Sequence, residues 1–157
     1  MQISARNQFE GTVRQLRIGP VNAEVVLVLP GGDSLVAVVT SRSALALGLA
    51  VGGRATAIVK APWVMVAAGD GGPGFSAHNQ LAGVVSGVQA GAIHAEVAIR
   101  LPGGTVVHAV VTQHAVQALG LAPGVPARAV VQASQVVLAV QDNQAQAPAV
   151  SSLKHSS

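Results

Sequence analysis

The chain has 157 residues, half of them hydrophobic and a tenth charged, with a formal net charge of +3 and no cysteine. The missing cysteines exclude disulfide and thiolate-zinc staples, and no apolar run reaches the roughly 18 residues of a membrane span. Two Phe, one Trp, no Tyr and six acids leave little for base stacking or for paired-carboxylate catalysis.

The N-terminus shows no signal-peptide pattern, so a cytoplasmic chain is expected. After Ser4-Ala5-Arg6-Asn7-Gln8, β-branched runs predict strands over residues 8–18, 23–29 and 34–39. Pro30-Gly31-Gly32-Asp33 makes the second and third of these a hairpin. Thr40 is placed to cap a short helix over residues 41–47, which Gly48 ends. Val51-Gly52-Gly53 turns into a fourth strand over 54–60, and Pro62 separates it from a fifth over 64–67.

The same plan is then written again. Residues 4–68 align without a gap on residues 76–140, with 30 of the 65 pairs identical. Pro102-Gly103-Gly104 repeats the hairpin turn and Gly120 the helix end. Five short strands with one small helix per copy predict an all-β chain of tandem OB-like five-stranded β-barrels. The expected organisation is a first domain over residues 2–68, a Gly-rich linker over 69–75 and a second domain over 76–141. A polar, mobile tail is expected over 142–157. Units of about 65 residues bury little of their own surface, and the apolar content is high for a monomer, so a tight oligomer is expected.

Cations are uneven: six against three acids in the first copy, two against one in the second. Ser4-Ala5-Arg6 offers a hydroxyl, backbone amides and a guanidinium; Thr40-Ser41-Arg42-Ser43 offers hydroxyls at a helix start; Lys60 ends a strand. No carboxylate accompanies these pieces locally. Donors alone suit a fully deprotonated tetrahedral dianion such as molybdate, tungstate or sulfate. Hydrogen phosphate would also need an acceptor for its proton. Taken singly, Thr40 also serves as a plain helix cap, and Arg6 and Lys60 as solvated surface charges.

Ser4-Ala5-Arg6-Asn7-Gln8, Ala23-Glu24-Val25-Val26-Leu27 and Lys60-Ala61-Pro62-Trp63-Val64-Met65 together resemble the two-domain form of the molbindin (Mop) family. They also resemble the TOBE-type molybdate-binding domains of molybdate-responsive regulators and transport ATPases. The resemblance covers about residues 2–141. It implies storage or homeostasis of molybdate or tungstate at domain and subunit interfaces, in a homotrimer holding six domains, with no redox cofactor and no metal bound directly. The matching site positions are Ser4, Ala5, Arg6, Thr40, Ser43 and Lys60 in the first copy. In the second, Ser76, Ala77 and Thr112 match, while His78, Ala115 and Gln132 replace Arg, Ser and Lys. Two fixed charges are thereby lost, so pairing of unlike copies would give hybrid sites with one fixed cation each. One kind would join Ser4-Ala5-Arg6 to Thr112 and Gln132, the other Ser76-Ala77-His78 to Thr40, Ser43 and Lys60. The resemblance further implies a site near a three-fold axis, for which Gly19, Val21 and Asn22, with Gly91, Ile93 and His94, are candidates; tight strand-to-strand turns are the plainer reading of both segments.

Three other classes compete. Catalysis is disfavoured, because Glu24 and Glu96 are equivalent repeat positions and no Ser-His-Asp or HExxH arrangement occurs; no catalytic residue is assigned. Single-stranded nucleic acid is the usual partner of an OB-like barrel, but rings and basic charge are sparse. An oxyanion-sensing regulatory module remains the other alternative.

Overall fold

The computed structural model describes residues 3–69 and 79–141. Two five-stranded sheets account for nearly all of its regular structure. In the first repeat β1 (Asn7–Ile18), β2 (Asn22–Val28) and β3 (Ser34–Thr40) form an antiparallel meander, followed by α1 (Ser41–Ala46), β4 (Arg54–Val59) and β5 (Met65–Ala68). The second repeat gives β6 (Asn79–Ala90), β7 (His94–Arg100), β8 (Val106–Thr112), α2 (Gln113–Leu119), β9 (Pro126–Val131) and β10 (Val137–Ala139). A single 3-10 turn precedes each last strand, at Ala61–Trp63 and Ala133–Gln135. The expected strands, helices and turns are present to within a residue or two.

β1 is long enough to serve two partners. Its first half pairs with β4, from Asn7↔Val59 to Thr12↔Arg54, and its second half with β2. A register shift between Val13 and Gln15 bends the strand between these roles. Val13 exchanges backbone hydrogen bonds with Gly52 and Gly53 of the turn before β4, which pins the bend. The second repeat shifts between Val85 and Gly87, with Val85 bonded to Gly124 and Val125.

The expectation that each repeat supplies all five of its own strands needs correction. β10 pairs with β4, Val137 opposite Ile58, while β5 pairs with β9, Met65 opposite Val130. The sheet orders are β10-β4-β1-β2-β3 and β5-β9-β6-β7-β8, so the last strands are exchanged. The connection explains the exchange. Val64 is buried, and the Ala61–Trp63 turn packs on β8 of the other repeat, which carries the chain across. The Ala133–Gln135 turn packs on β3 in the same way.

Both repeats consequently contribute to one continuous core. Val13, Val25, Leu27, Leu35 and Val64 join Val85, Val97, Ile99, Val107 and Val136 in a single buried cluster. Each such side chain contributes about 1.5–3 kcal/mol relative to exposure. The two Leu-Pro-Gly-Gly turns also meet. A Cβ on Gly31, whose φ is +94°, would overlap the Gly103 carbonyl, and the Gly103 amide donates to Asp33 Oδ2 at 3.0 Å. Glycine there serves the turn conformation and the close approach of two backbones at once.

Candidate anion-binding site

Strand exchange brings the predicted donor segments of one repeat beside the other repeat. Thr40 closes β3 with extended backbone, and its Oγ1 accepts the Ser43 amide at 3.0 Å while donating to Ser43 Oγ at 2.8 Å. That cap contributes about 1 kcal/mol to a helix of one and a half turns. Thr40 and Ser43 line a groove of about 460 Å³ whose other wall is Ser134, Val136, Val137 and Leu138 of the second repeat. Ser134 occupies the position of Pro62 in the repeat, so no hydroxyl shared by the two copies marks it in the sequence. Thr112 caps α2 by accepting the Ala115 amide at 3.0 Å, but Ala115 has no hydroxyl to add.

Lys60 is exposed, and its Nζ stands 5.2 Å from the centroid of the Trp63 ring. The turn between them lies on β8, the strand that ends at Thr112. Gln132 likewise precedes the turn that lies on β3, the strand that ends at Thr40. The turns that follow Lys60 and Gln132 thus each lie on the third strand of the opposite repeat.

Arg6 points to the second repeat. Its Nη2 is 2.5 Å from Glu96 Oε1 on β7, and the same oxygen is 3.2 Å from His108 Nδ1 on β8. The expected freedom of the donor set from carboxylates therefore fails in three dimensions. Glu96 is ninety positions away in sequence, but β7 and β8 bring it under the first residues of β1. The one signal available in sequence was the Pro102-Gly103-Gly104 hairpin, whose register puts Glu96 opposite Val110 and places His108 on the same face. Nothing in sequence indicated that Arg6 would reach that face. Ser4 is exposed, and the Ala5 carbonyl accepts from Gln8 Nε2 at 3.0 Å. Ser76, Ala77 and His78 lie outside the described residues, as do the expected linker beyond Gly69 and the expected tail.

The segments proposed for a three-fold site form tight turns. The Gly19 amide donates to the Asn22 carbonyl at 2.9 Å, and the Ser41 hydroxyl donates to the Gly19 carbonyl at 2.7 Å. The Ser41 amide donates to Val21, and the Gln113 amide to Ile93 in the second repeat. The Gly19 amide is thus used within the turn. Val21 and Ile93 are 72% and 71% exposed, and His94 is exposed at the start of β7. Gly19 and Asn22 also line a groove of about 520 Å³ with Arg17, Ile18 and Glu24; Arg17 is 3.7 Å from Glu24. Gly91 holds the equivalent turn position before β7.

The TOBE domain model matches residues 3–66 and 76–138. The chain is 47% identical over 141 residues to the molybdenum-pterin-binding protein MopA of Rhodobacter capsulatus, covering 89% of this chain and 53% of that protein. It is 39% identical over 143 residues to the molybdenum transport protein ModE of Herbaspirillum seropedicae, covering 91% and 53%. The chain thus spans about half the length of these relatives. Among solved structures, the cytoplasmic molybdate-binding protein ModG with molybdate bound superposes with a TM-score of 0.85 at 51% identity, covering 90% of this chain and all of that one. The chain belongs to the TOBE-domain family, as a two-domain member of the molbindin kind.

Proposed function

We propose that this chain binds molybdate, and tungstate by the same chemistry, and holds it as a cytoplasmic store rather than transforming it. The observation that carries this reading is the exchange of the last strands, which lays the turn after Lys60 on the strand that ends at Thr112 and the turn after Gln132 on the strand that ends at Thr40. The similarity to ModG, a molybdate-binding protein over its whole length, supports it. Thr40 with Ser43 and Gln132, and Thr112 with Lys60, are the chain's own halves of two kinds of site. The Ser-Ala-Arg segment and its counterpart at Ser76, Ala77 and His78 would close them from neighbouring subunits. This grouping takes Lys60 and Gln132 from the repeat opposite to each Thr, unlike the grouping drawn from sequence.

A homotrimer of six barrels is the assembly we favour. Val21, Ile93, Leu45 and Val51 are each apolar and more than 60% exposed, and subunit contact would take such side chains out of water. Anion held between subunits would then stabilise the assembly by mass action. The turns at Gly19 to Asn22 and Gly91 to His94 are the segments through which a three-fold site would form. A role as the sensing half of a regulator is the second reading, favoured by the likeness to ModE proteins nearly twice as long.

The test is elemental analysis of the purified oligomer after molybdate soaking and desalting, together with its mass by light scattering. Retained molybdenum at several atoms per trimer is the expected result. A monomer that retains none, or one that holds sulfate equally well, overturns the reading.

A further inference from the structure

We infer that Glu96 is the free protein's own anion for Arg6, and that it sets the affinity of the Arg6 site by competing with the incoming oxyanion. The inference rests on the oxyanion reading above. The base of Arg6 is fixed, because the next residue, Asn7, is fully buried and hydrogen-bonded to the His108 backbone. Its head is free to move: the Arg6 side chain is 57% exposed, against 29% for Glu96. The guanidinium can thus leave the carboxylate without disturbing the strand that carries it. Glu96 has less freedom, because it lies within β7 and is the more buried of the two.

An oxyanion taken by Arg6 in its present position would lie within a few ångströms of the carboxylate, and the two charges repel. If Arg6 swings out to meet the anion, it gives up its bond to Glu96. Either route subtracts from binding. Among the described residues the arrangement occurs once. Glu24, the equivalent acid, stands 3.7 Å from Arg17 instead, and Val36 occupies the position of His108. The chain therefore tempers the half that kept its Arg, while the other half carries His78 in place of that Arg.

Calorimetric titration with sodium molybdate at fixed pH and ionic strength tests this. Glu96→Gln should tighten binding about two- to five-fold, the range expected when a partly exposed competitor is removed. Glu10→Gln makes the same change of charge at the exposed Arg54 pair and should leave affinity within two-fold. In an Arg6→Gln background, Glu96→Gln should tighten binding less than it does in the unaltered protein, because only the repulsion is then left to remove. If the unaltered protein binds and Glu96→Gln binds equally or more weakly, the inference fails and the oxyanion reading stands. If the unaltered protein does not bind molybdate, both fall. A loss of hydrogen phosphate binding in Glu96→Gln also overturns the inference, since it would make Glu96 an acceptor serving the site. Should Glu96→Gln lose its cooperative thermal transition, Glu96→Asp withdraws the carboxylate by one methylene and should tighten binding to a smaller degree; no tightening counts against the inference.

Discussion

The carboxamide of Asn7 exchanges two hydrogen bonds with the backbone of His108, Nδ2 donating to its carbonyl and Oδ1 accepting its amide, each 2.8 Å long. Asn79 makes the same exchange with Val36 at 2.7 and 2.8 Å. Val36 and His108 are equivalent repeat positions, so each repeat extends a buried side chain as a pseudo-strand against the other's third strand. Replacing Asn7 by Ala leaves a buried amide and carbonyl without partners. A loss of about 2–4 kcal/mol is expected, since each unmet buried group costs about 1–3 kcal/mol. Urea unfolding at unchanged m checks it; a midpoint within error of the unaltered protein would show that water replaces the carboxamide.

The meeting of Gly31 with Gly103 makes a second test of the contact between barrels. Gly31→Ala puts a methyl where the Gly103 carbonyl stands and asks Ala to hold a φ of +94°. Destabilisation of about 1–3 kcal/mol is expected from the combined strain. Gly32→Ala isolates the conformational part, because Gly32 has a φ of +102° and open space around it. Equal thermal shifts for the two variants would mean that the turns do not press on each other.

Strand exchange predicts how the halves behave when cut apart. A fragment ending at Gly69 keeps β5 but lacks β10, the strand that completes its own sheet. Two copies should exchange β5 and close both barrels, giving a dimer or a larger even-numbered assembly in light scattering. A folded monomeric fragment would show that β5 can turn back beside its own β4.

Lys60 and Trp63 offer an optical readout, because Trp63 is the chain's only tryptophan. Molybdate drawn to the ammonium should alter the cation–π contact and change the emission. Lys60→Ala should abolish that change and remove about half of the interface sites. Unchanged stoichiometry and affinity in Lys60→Ala would rule out hybrid sites that depend on this cation.

The sequence by itself determined the repeat, the order of strands, the hairpin turns and the helix caps. It also supplied the inventory of donors at Ser4, Arg6, Thr40, Ser43 and Lys60. These features are local: alternation records burial, glycine records a turn, and a threonine before a short helix records its cap. Only the tertiary structure decided which barrel each fifth strand completes, that Arg6 meets Glu96, and that Asn7 reaches His108. β5 and β10 are short apolar runs at equivalent positions, so their pattern is the same whether each stays in its own barrel or crosses. The choice falls to the turn after β4, where Val64 is buried and the chain lies across β8. Contacts between copies of one pattern depend on the path of the connection, which hydrophobic periodicity does not encode.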